Sequence, residues 1–496
     1  MSVSENRNIL VTTFSYDSWQ LATALEIINV ETLKDNHVTW LDLNQSCGFK
    51  SKYLVSDNIE SLIKRKNINK KIRNSNLVYL NQETLYTSKI IGSQLISNPD
   101  VTERAKEIAY AELISESRDS FPCRKHNIHA LQYYQRVFIE TFNLMNQVFC
   151  NNFYDEVYIF NGRNLQERAA WDACISNSVS VNFYESFNEN WIDRYFIFKE
   201  PAHSPKYRSE VMLKYSKIEK SKNPTEYSLI ANKWFTDRQI GLTQRYTHLQ
   251  NNSGVNNFKK PYFVFFHSSQ DELDMLGLIS EYWKNQVNSL SALIDILKTD
   301  TQYHLILRIH PHLLHKSKIE RFYWDEIGAS LEKQHSWFHY IPADSKINSY
   351  ELMKNSNGII SCASTIGVEA AYLKKKSILL GRAFHEYMGV TQNPENKQEL
   401  TRVLFSESNP NQIEMAYEGA LAYAFFSEKG GTFFKHVSYS LKLGRRVYKC
   451  QGFVISPSFF VRFIRTVEEL VSDIFSIKKQ RRCLSDCGIN TRPRWQ

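Results

Sequence analysis

Apolar residues in this chain fall into short unbroken runs separated by stretches of helical spacing. Residues 8–14 form the first such run and read as a buried strand. A polar turn through Asp17 leads into a helical pattern near 19–30, and 37–43 reads as the next strand. Strand, helix and strand in that order predict a parallel sheet. Residues 50–100 are rich in Lys and Asn and less regular, and two helical patterns follow near 101–118 and 130–150. A strand at 155–160 ends in Asn161-Gly162-Arg163, a helix carrying Arg168 follows, and a strand at 179–184 ends at Glu185. A helical pattern covers 225–242.

Residues 250–257 (Gln-Asn-Asn-Ser-Gly-Val-Asn-Asn) make the clearest linker. Beyond it the alternation restarts, with strands at 261–267, 303–309, 337–341, 358–362 and 376–380. Helices are expected near 283–299, 316–333, 347–355, 365–374, 395–406 and 411–427. The predicted class is therefore α/β. The expected domains are 1–249, 258–430, and a basic helical tail over 431–496, whose residues 459–475 place Phe, Ile, Val and Leu at helical spacing.

In a doubly wound sheet, ligands bind beyond the carboxyl ends of the strands. In the second domain those ends carry Ser268-Ser269, Arg308 with His310-Pro311, the segment from Pro342 to Ser345, and Ser364-Thr365-Ile366-Gly367 with Glu369. Four consecutive polar ends of one parallel sheet converge on one crevice. Arg308 and His310 suit phosphate oxygens, and Pro311 stiffens the turn. Ser364 and Thr365 would serve equally as plain N-caps, but Gly367 and Glu369 favour a phosphate and ribose site. In the first domain, Asn161, Arg163, Arg168 and Arg194 suit an acidic or phosphorylated acceptor. Asp17 and Glu185 are candidates for the base that deprotonates an acceptor hydroxyl, or members of surface ion-pair networks. His310, His312 and His315 lack a completing carboxylate, so no metal and no cofactor are expected.

Composition adjusts this picture little. Hydrophobic residues make up 42% of the 496 residues and charged residues 23%, as in ordinary globular proteins. The net charge of +9 suits anionic partners. The basic residues are dispersed and no nucleic-acid-binding motif is present, so nucleic acid is excluded as a partner. Eight scattered cysteines read as reduced thiols. With no signal peptide and no spanning run, the expected location is the cytoplasm. The amphipathic 459–482 segment would allow a peripheral contact with an anionic membrane.

The pieces Phe266-His267-Ser268-Ser269-Gln270-Asp271-Glu272, Trp283 with Gln286, Leu307-Arg308-Ile309-His310-Pro311, Ile341-Pro342-Ala343-Asp344-Ser345, and Ser364 to Ala371, with Gly381-Arg382, together resemble the bacterial capsule and surface-polysaccharide biosynthesis glycosyltransferases of the GT-B class. Asn161-Gly162-Arg163, Tyr184-Glu185 and Arg194-Tyr195 extend the resemblance, which spans roughly 155–405. It implies two facing Rossmann-like domains with parallel sheets, and a nucleotide-sugar donor in the C-terminal one. It also implies transfer to a glycan or glycolipid acceptor. His-Pro turns with Ser/Thr loops also occur in transferases that use CMP- or CDP-linked donors, which tilts the expectation towards a CMP-linked sugar. A CDP-polyol phosphotransferase and a non-catalytic assembly partner are the competing readings. Two departures from the family pattern are His267, where a small hydroxyl residue is usual, and Ser186-Phe187 after Glu185, where a glycine is expected.

Overall fold

The structure is a computed structural model. It describes residues 6–14, 18–43, 77–81, 99–117, 122–185, 193–242, 260–268, 275–276, 278, 280–299, 302–315, 318–407, 409–442, 445–450 and 453–455. Asp17, Ser269 and the 459–482 segment lie outside these residues. The chain divides into two compact units. One contains Met1–Leu113, Cys123–Ala202 and Gly431–Cys483, and the other Ile114–Pro122, His203–Gly430 and Leu484–Gln496.

The first unit opens with β1 (Asn8–Thr13), α1 (Ser18–Thr32), β2 (His37–Asp42) and β3 (Leu77–Asn81). It continues through α2 (Pro99–Ser117), α3 (Ile128–Asn151), β4 (Glu156–Phe160), α4 (Leu165–Ser176), β5 (Ser180–Glu185) and β6 (Arg194–Phe198). Strands β5-β4-β1-β2-β3 are parallel neighbours in that order, and β6 joins antiparallel to β5. The β1 strand is covered on both faces, so it reads as a continuous apolar run rather than an alternation. Ile9, Val11 and Trp40 pack with Leu21 and Leu25 of α1, and Trp40 Nε1 donates to Thr13 Oγ1 at 3.0 Å. Strand β3 lies in a stretch whose pattern suggests no regular element; its five residues carry too little periodicity to stand out among Lys and Asn.

The second unit begins with α5 (Pro205–Lys222) and α6 (Pro224–Gln239). It continues through β7 (Tyr262–Phe266), α7 (Gln286–Leu297), β8 (His304–Arg308), α8 (Lys318–Gln334), β9 (Phe338–Ile341) and α9 (Ser349–Asn355). It ends with β10 (Gly358–Ser361), α10 (Ile366–Tyr372), β11 (Ser377–Leu379), α11 (Lys397–Phe405) and α12 (Pro410–Lys429). Its sheet is wholly parallel in the order β11-β10-β7-β8-β9. The α/β class with parallel sheets is thus borne out in both units. Helix α5 escapes the hydrophobic pattern because its buried face is largely small and polar: Ser209 and Ser216 flank Met212, and their hydroxyls donate to Phe384 O and Ala422 O at 3.0 and 2.9 Å. The break before α6 is chemical. Asn223 Oδ1 accepts from Glu226 N–H at 3.1 Å, and Pro224 occupies the first helical position.

After α12 the chain returns to the first unit as β12 (Thr432–Phe433), β13 (Val437–Lys442), β14 (Arg445–Cys450) and β15 (Phe453–Val454). This corrects the expected helical tail over residues 432–454. Val437, Tyr439 and Leu441 alternate with polar residues, Val447 and Tyr448 add residues that favour strands, and β13-β14-β15 form an antiparallel sheet. Its Val437, Tyr448 and Cys450 join the core around α1, while β12 pairs with β6. The fully buried Glu26 of α1 accepts from Lys435 N–H at 2.7 Å and from His436 and Val437 N–H at 2.8 Å each.

Candidate functional site

In the second unit the chain leaves β7 towards one neighbour and β10 towards the other, which makes the β7–β10 boundary the switch point where parallel sheets open a crevice. Register aligns the strand ends: Ser361 pairs with Phe266, Phe266 with Arg308, and Arg308 with Ile341. The sequence-predicted polar ends are therefore neighbours on one edge. Ser268 follows β7 and is held by a reciprocal pair with Gln286, whose Oε1 accepts from Ser268 N–H at 2.7 Å and whose Nε2 donates to Ser268 O at 2.9 Å. The Ser268 and Ser361 hydroxyls are buried and have no hydrogen-bond partner among the described residues. Buried polar atoms in folded proteins are nearly always paired, so two such hydroxyls at a switch point mark a place built for something else.

The Arg308 fork is engaged within the protein. The side chain is buried, and its Nη1 and Nη2 donate to Pro342 O at 2.5 Å and Ser345 O at 3.1 Å. Burial pulls its pKa down to about 10, with Asp344 and Tyr340 opposing. Only Nε is left without a partner. Ser345 belongs to the same turn: its N–H donates to Pro342 O at 3.1 Å and its Oγ accepts from Ile347 N–H at 3.3 Å. His310 Nδ1 accepts from His312 N–H at 3.0 Å, which fixes the neutral tautomer with its proton on Nε2. Pro311 is buried and starts a short 3-10 turn.

At the mouth of α10, Ser364 Oγ accepts from Ile366 N–H at 3.3 Å, and Thr365 makes no capping bond. Space around Gly367 is tight: a Cβ there would sit 3.1 Å from Thr391 Cγ2 and 3.2 Å from both His385 Nε2 and Ser377 Oγ. Glu369 is not a bare carboxylate. Arg238 of α6 donates to its Oε1 from Nη2 at 2.8 Å and from Nε at 3.2 Å, and itself stacks on Trp234 at 4.6 Å. Burial works against the Arg238 charge, but Glu369 outweighs it and holds the guanidinium above its usual range. Glu369 Oε2 is buried without a partner. No sequence signal announces Arg238, which lies 131 residues from Glu369.

His385 is another group the sequence does not reveal. It is buried against Gly367, and burial, reinforced by Arg208, pushes its pKa down to about 3. A neutral buried imidazole stabilises the fold fully above the unfolded value near 6.5, and that stability is lost as pH falls from there towards 3. His385→Gln is therefore expected to shift the acid-unfolding transition of the full chain to lower pH. An unchanged transition, followed by tryptophan fluorescence, would show that another group sets it.

In the first unit, Asn161 (φ 24°) and Gly162 (φ 73°) form a left-handed turn after β4, and a Cβ on Gly162 would lie 2.6 Å from the Phe183 ring. Asn161 Oδ1 accepts from Arg163 N–H at 2.8 Å, Glu167 from Asn164 N–H at 2.6 Å, and Glu112 from Leu165 N–H at 3.0 Å. The mouth of α4 is thus filled by the protein's own oxygens. Burial raises both carboxyls, Glu167 to about 8 with Glu112 adding to the effect. Arg168 Nε donates to Arg163 O at 3.1 Å and braces this turn from within. Arg194 lies over the Phe433 ring at 5.0 Å, opposite its β12 pairing partner. Asn161 and Arg163 stay at the strand end, with Arg163 half-exposed, and Glu185 ends β5, also half-exposed.

Comparison with known proteins gives a partial match. Residues 199–425 match the family model described as capsule polysaccharide biosynthesis protein. Similar solved structures include the β-Kdo 2,7 transferase of Thermosulfurimonas dismutans KpsC, at 14% identity over 65% of this chain and 88% of that one, with a TM-score of 0.35. The β-Kdo 2,4 transferase of the same KpsC aligns at 11% identity over 54% and 79%, with a TM-score of 0.33. The S. aureus MnaA–UDP co-structure aligns at 12% over 85% and 94%, with a TM-score of 0.28. No curated protein matches the chain. The matched span, residues 199–425, contains the strand-end motifs of the second unit.

Proposed function

We propose that this protein is a glycosyltransferase of surface-polysaccharide synthesis that takes a sugar from a nucleotide donor bound at the carboxyl edge of the second unit's sheet. The observation that carries the reading is the set of buried atoms without partners at and beside that edge: Ser268 Oγ, Ser361 Oγ and Glu369 Oε2. A nucleotide supplies what they lack. Its ribose hydroxyls would donate to Glu369, and its phosphate oxygens would accept from Ser364, Thr365 and His310. In transfer, the bond between the sugar carbon and the phosphate oxygen breaks with its electrons leaving on that oxygen. The acceptor hydroxyl oxygen bonds the same carbon and gives its proton to a carboxylate. Glu185 and Asp17 are the proposed proton acceptors, and Asn161 and Arg163 the proposed acceptor contacts.

With the Arg308 fork turned towards carbonyls, His310 is the basic side chain proposed to meet the donor phosphate. The His-Pro turn and Ser/Thr loop, similar to those of transferases that use CMP-linked donors, favour a CMP-linked donor here. In chemistry of this kind, donors aimed at the departing charge usually lower the barrier more than any other single contribution. His310→Ala is expected to lower transfer from a CMP-sugar by about 100-fold or more, with the fold intact by circular dichroism. The check is a thermal-shift series with CMP, CDP, UMP and UDP, followed by transfer from doubly labelled donor. Absence of any nucleotide shift in the wild-type chain would remove the enzyme reading. Transfer of phosphate along with the organic group would make it a phosphotransferase.

A further inference from the structure

We infer that Arg308 is a positioning residue, which moulds the turn from Pro342 to Ser345 into one wall of the crevice and does not touch the donor phosphate. The inference deepens the proposed function and rests on it for the ligand, but not for the turn. The turn leaves β9 beside Arg308, and two of its carbonyls converge on one guanidinium. Ser345 N–H closes the turn on Pro342 O, and Ile309 N–H donates to Ile341 O at 3.0 Å to fix its root to the strand that bears Arg308. The outer side is held separately by Arg321, which donates to the exposed Asp344 carboxylate at 3.1 Å.

The geometry favours arginine for a physical reason. Two carbonyls on one turn need two donors in a fixed fork, which a guanidinium supplies and an ammonium on a flexible stem does not. A phosphate ligand would use the same fork, since arginine grips oxyanions through paired N–H groups. Here the Nη1 and Nη2 atoms are directed to neutral oxygens in a buried setting, so a phosphate would have to displace the turn to reach them. A buried guanidinium facing carbonyls, with its pKa lowered rather than raised, is consistent with that arrangement. What meets the donor is then the turn's outer face. Its shape, and hence the fit of the nucleotide, depends on Arg308.

Three variants of the full chain test this. In Arg308→Met, hydrogen exchange of amides 343–347 in the ligand-free protein is expected to rise by about tenfold, with exchange in β7 and β10 unchanged. Affinity for CMP should fall by about tenfold, while its dependence on sodium chloride concentration stays as in the wild type. His310→Ala, by contrast, should weaken CMP binding with wild-type protection at 343–347. Arg308→Lys keeps the charge but not the fork, and it decides the matter if the Met variant does not fold. Raised exchange at 343–347 and weakened CMP binding are again expected. Wild-type amide protection at 343–347 in either folded Arg308 variant overturns the inference, and so does a flattened salt dependence in Arg308→Met. If the wild-type chain binds no CMP, the CMP-donor reading fails, and the exchange data alone still decide whether Arg308 holds the turn.

Discussion

Replacing Glu26 with alanine is expected to destabilise the first unit by about 3–5 kcal/mol, because three backbone N–H groups lose a charged acceptor at once. Two of these bonds go to partly buried donors, which water reaches in the variant, and one goes to a buried donor, which stays unsatisfied. The consequence extends past α1. Residues 435–437 lead into β13, and β13-β14-β15 cover part of the α1 core through Tyr448 and Cys450. Loosening the clasp should therefore make the 431–455 segment sensitive to protease before the rest of the chain. Glu26→Gln keeps one good acceptor and should lose about half as much. Urea denaturation combined with limited proteolysis measures both. An Ala variant that unfolds at the wild-type midpoint, with 431–455 still protected, would show that the clasp contributes nothing to stability.

The second large effect is expected at Glu369. Glu369→Ala leaves Arg238 inside the protein without its counter-charge, which costs about 3 kcal/mol, at the low end for a broken buried pair because Arg238 retains some exposure. Removing both charges should behave differently. Arg238→Met with Glu369→Leu replaces the pair by apolar groups of similar volume and should recover most of the stability. It should not recover nucleotide binding, because the proposed ribose contact is the unpaired Oε2 and not the Arg238 bridge. Stability from calorimetry and CMP binding from titration separate the two roles. A double variant that binds CMP as the wild type does would remove Glu369 from the proposed site.

Much of the fold is legible in the sequence because buried parallel strands leave a strong mark. The runs at 8–14, 155–160, 261–267, 303–309 and 358–362 are short, apolar and bounded by polar turns, and each corresponds to a strand. The candidate edge is legible for the same reason: strand ends of a parallel sheet come together by topology, so Ser268, Arg308 and Ser364 could be grouped before any coordinates. The direction of a side chain is not carried by such patterns. Arg308 looks like a phosphate ligand by type and position, yet its fork is taken by two carbonyls on a turn 34 to 37 residues away. Arg168 and Arg194 look alike in sequence, and one braces its own turn while the other lies on Phe433.

The sequence by itself determined the α/β class, the order of most strands and the edge where the candidate residues gather, because period and burial act locally along the chain. The tertiary structure alone decided which polar groups at that edge are already engaged and which are left open. It also decided the pairing of Glu369 with Arg238 and the return of β12–β15 to the first unit. Those outcomes depend on contacts between residues far apart in the chain, where the desolvation cost of each buried charge is met by a partner that no local pattern names.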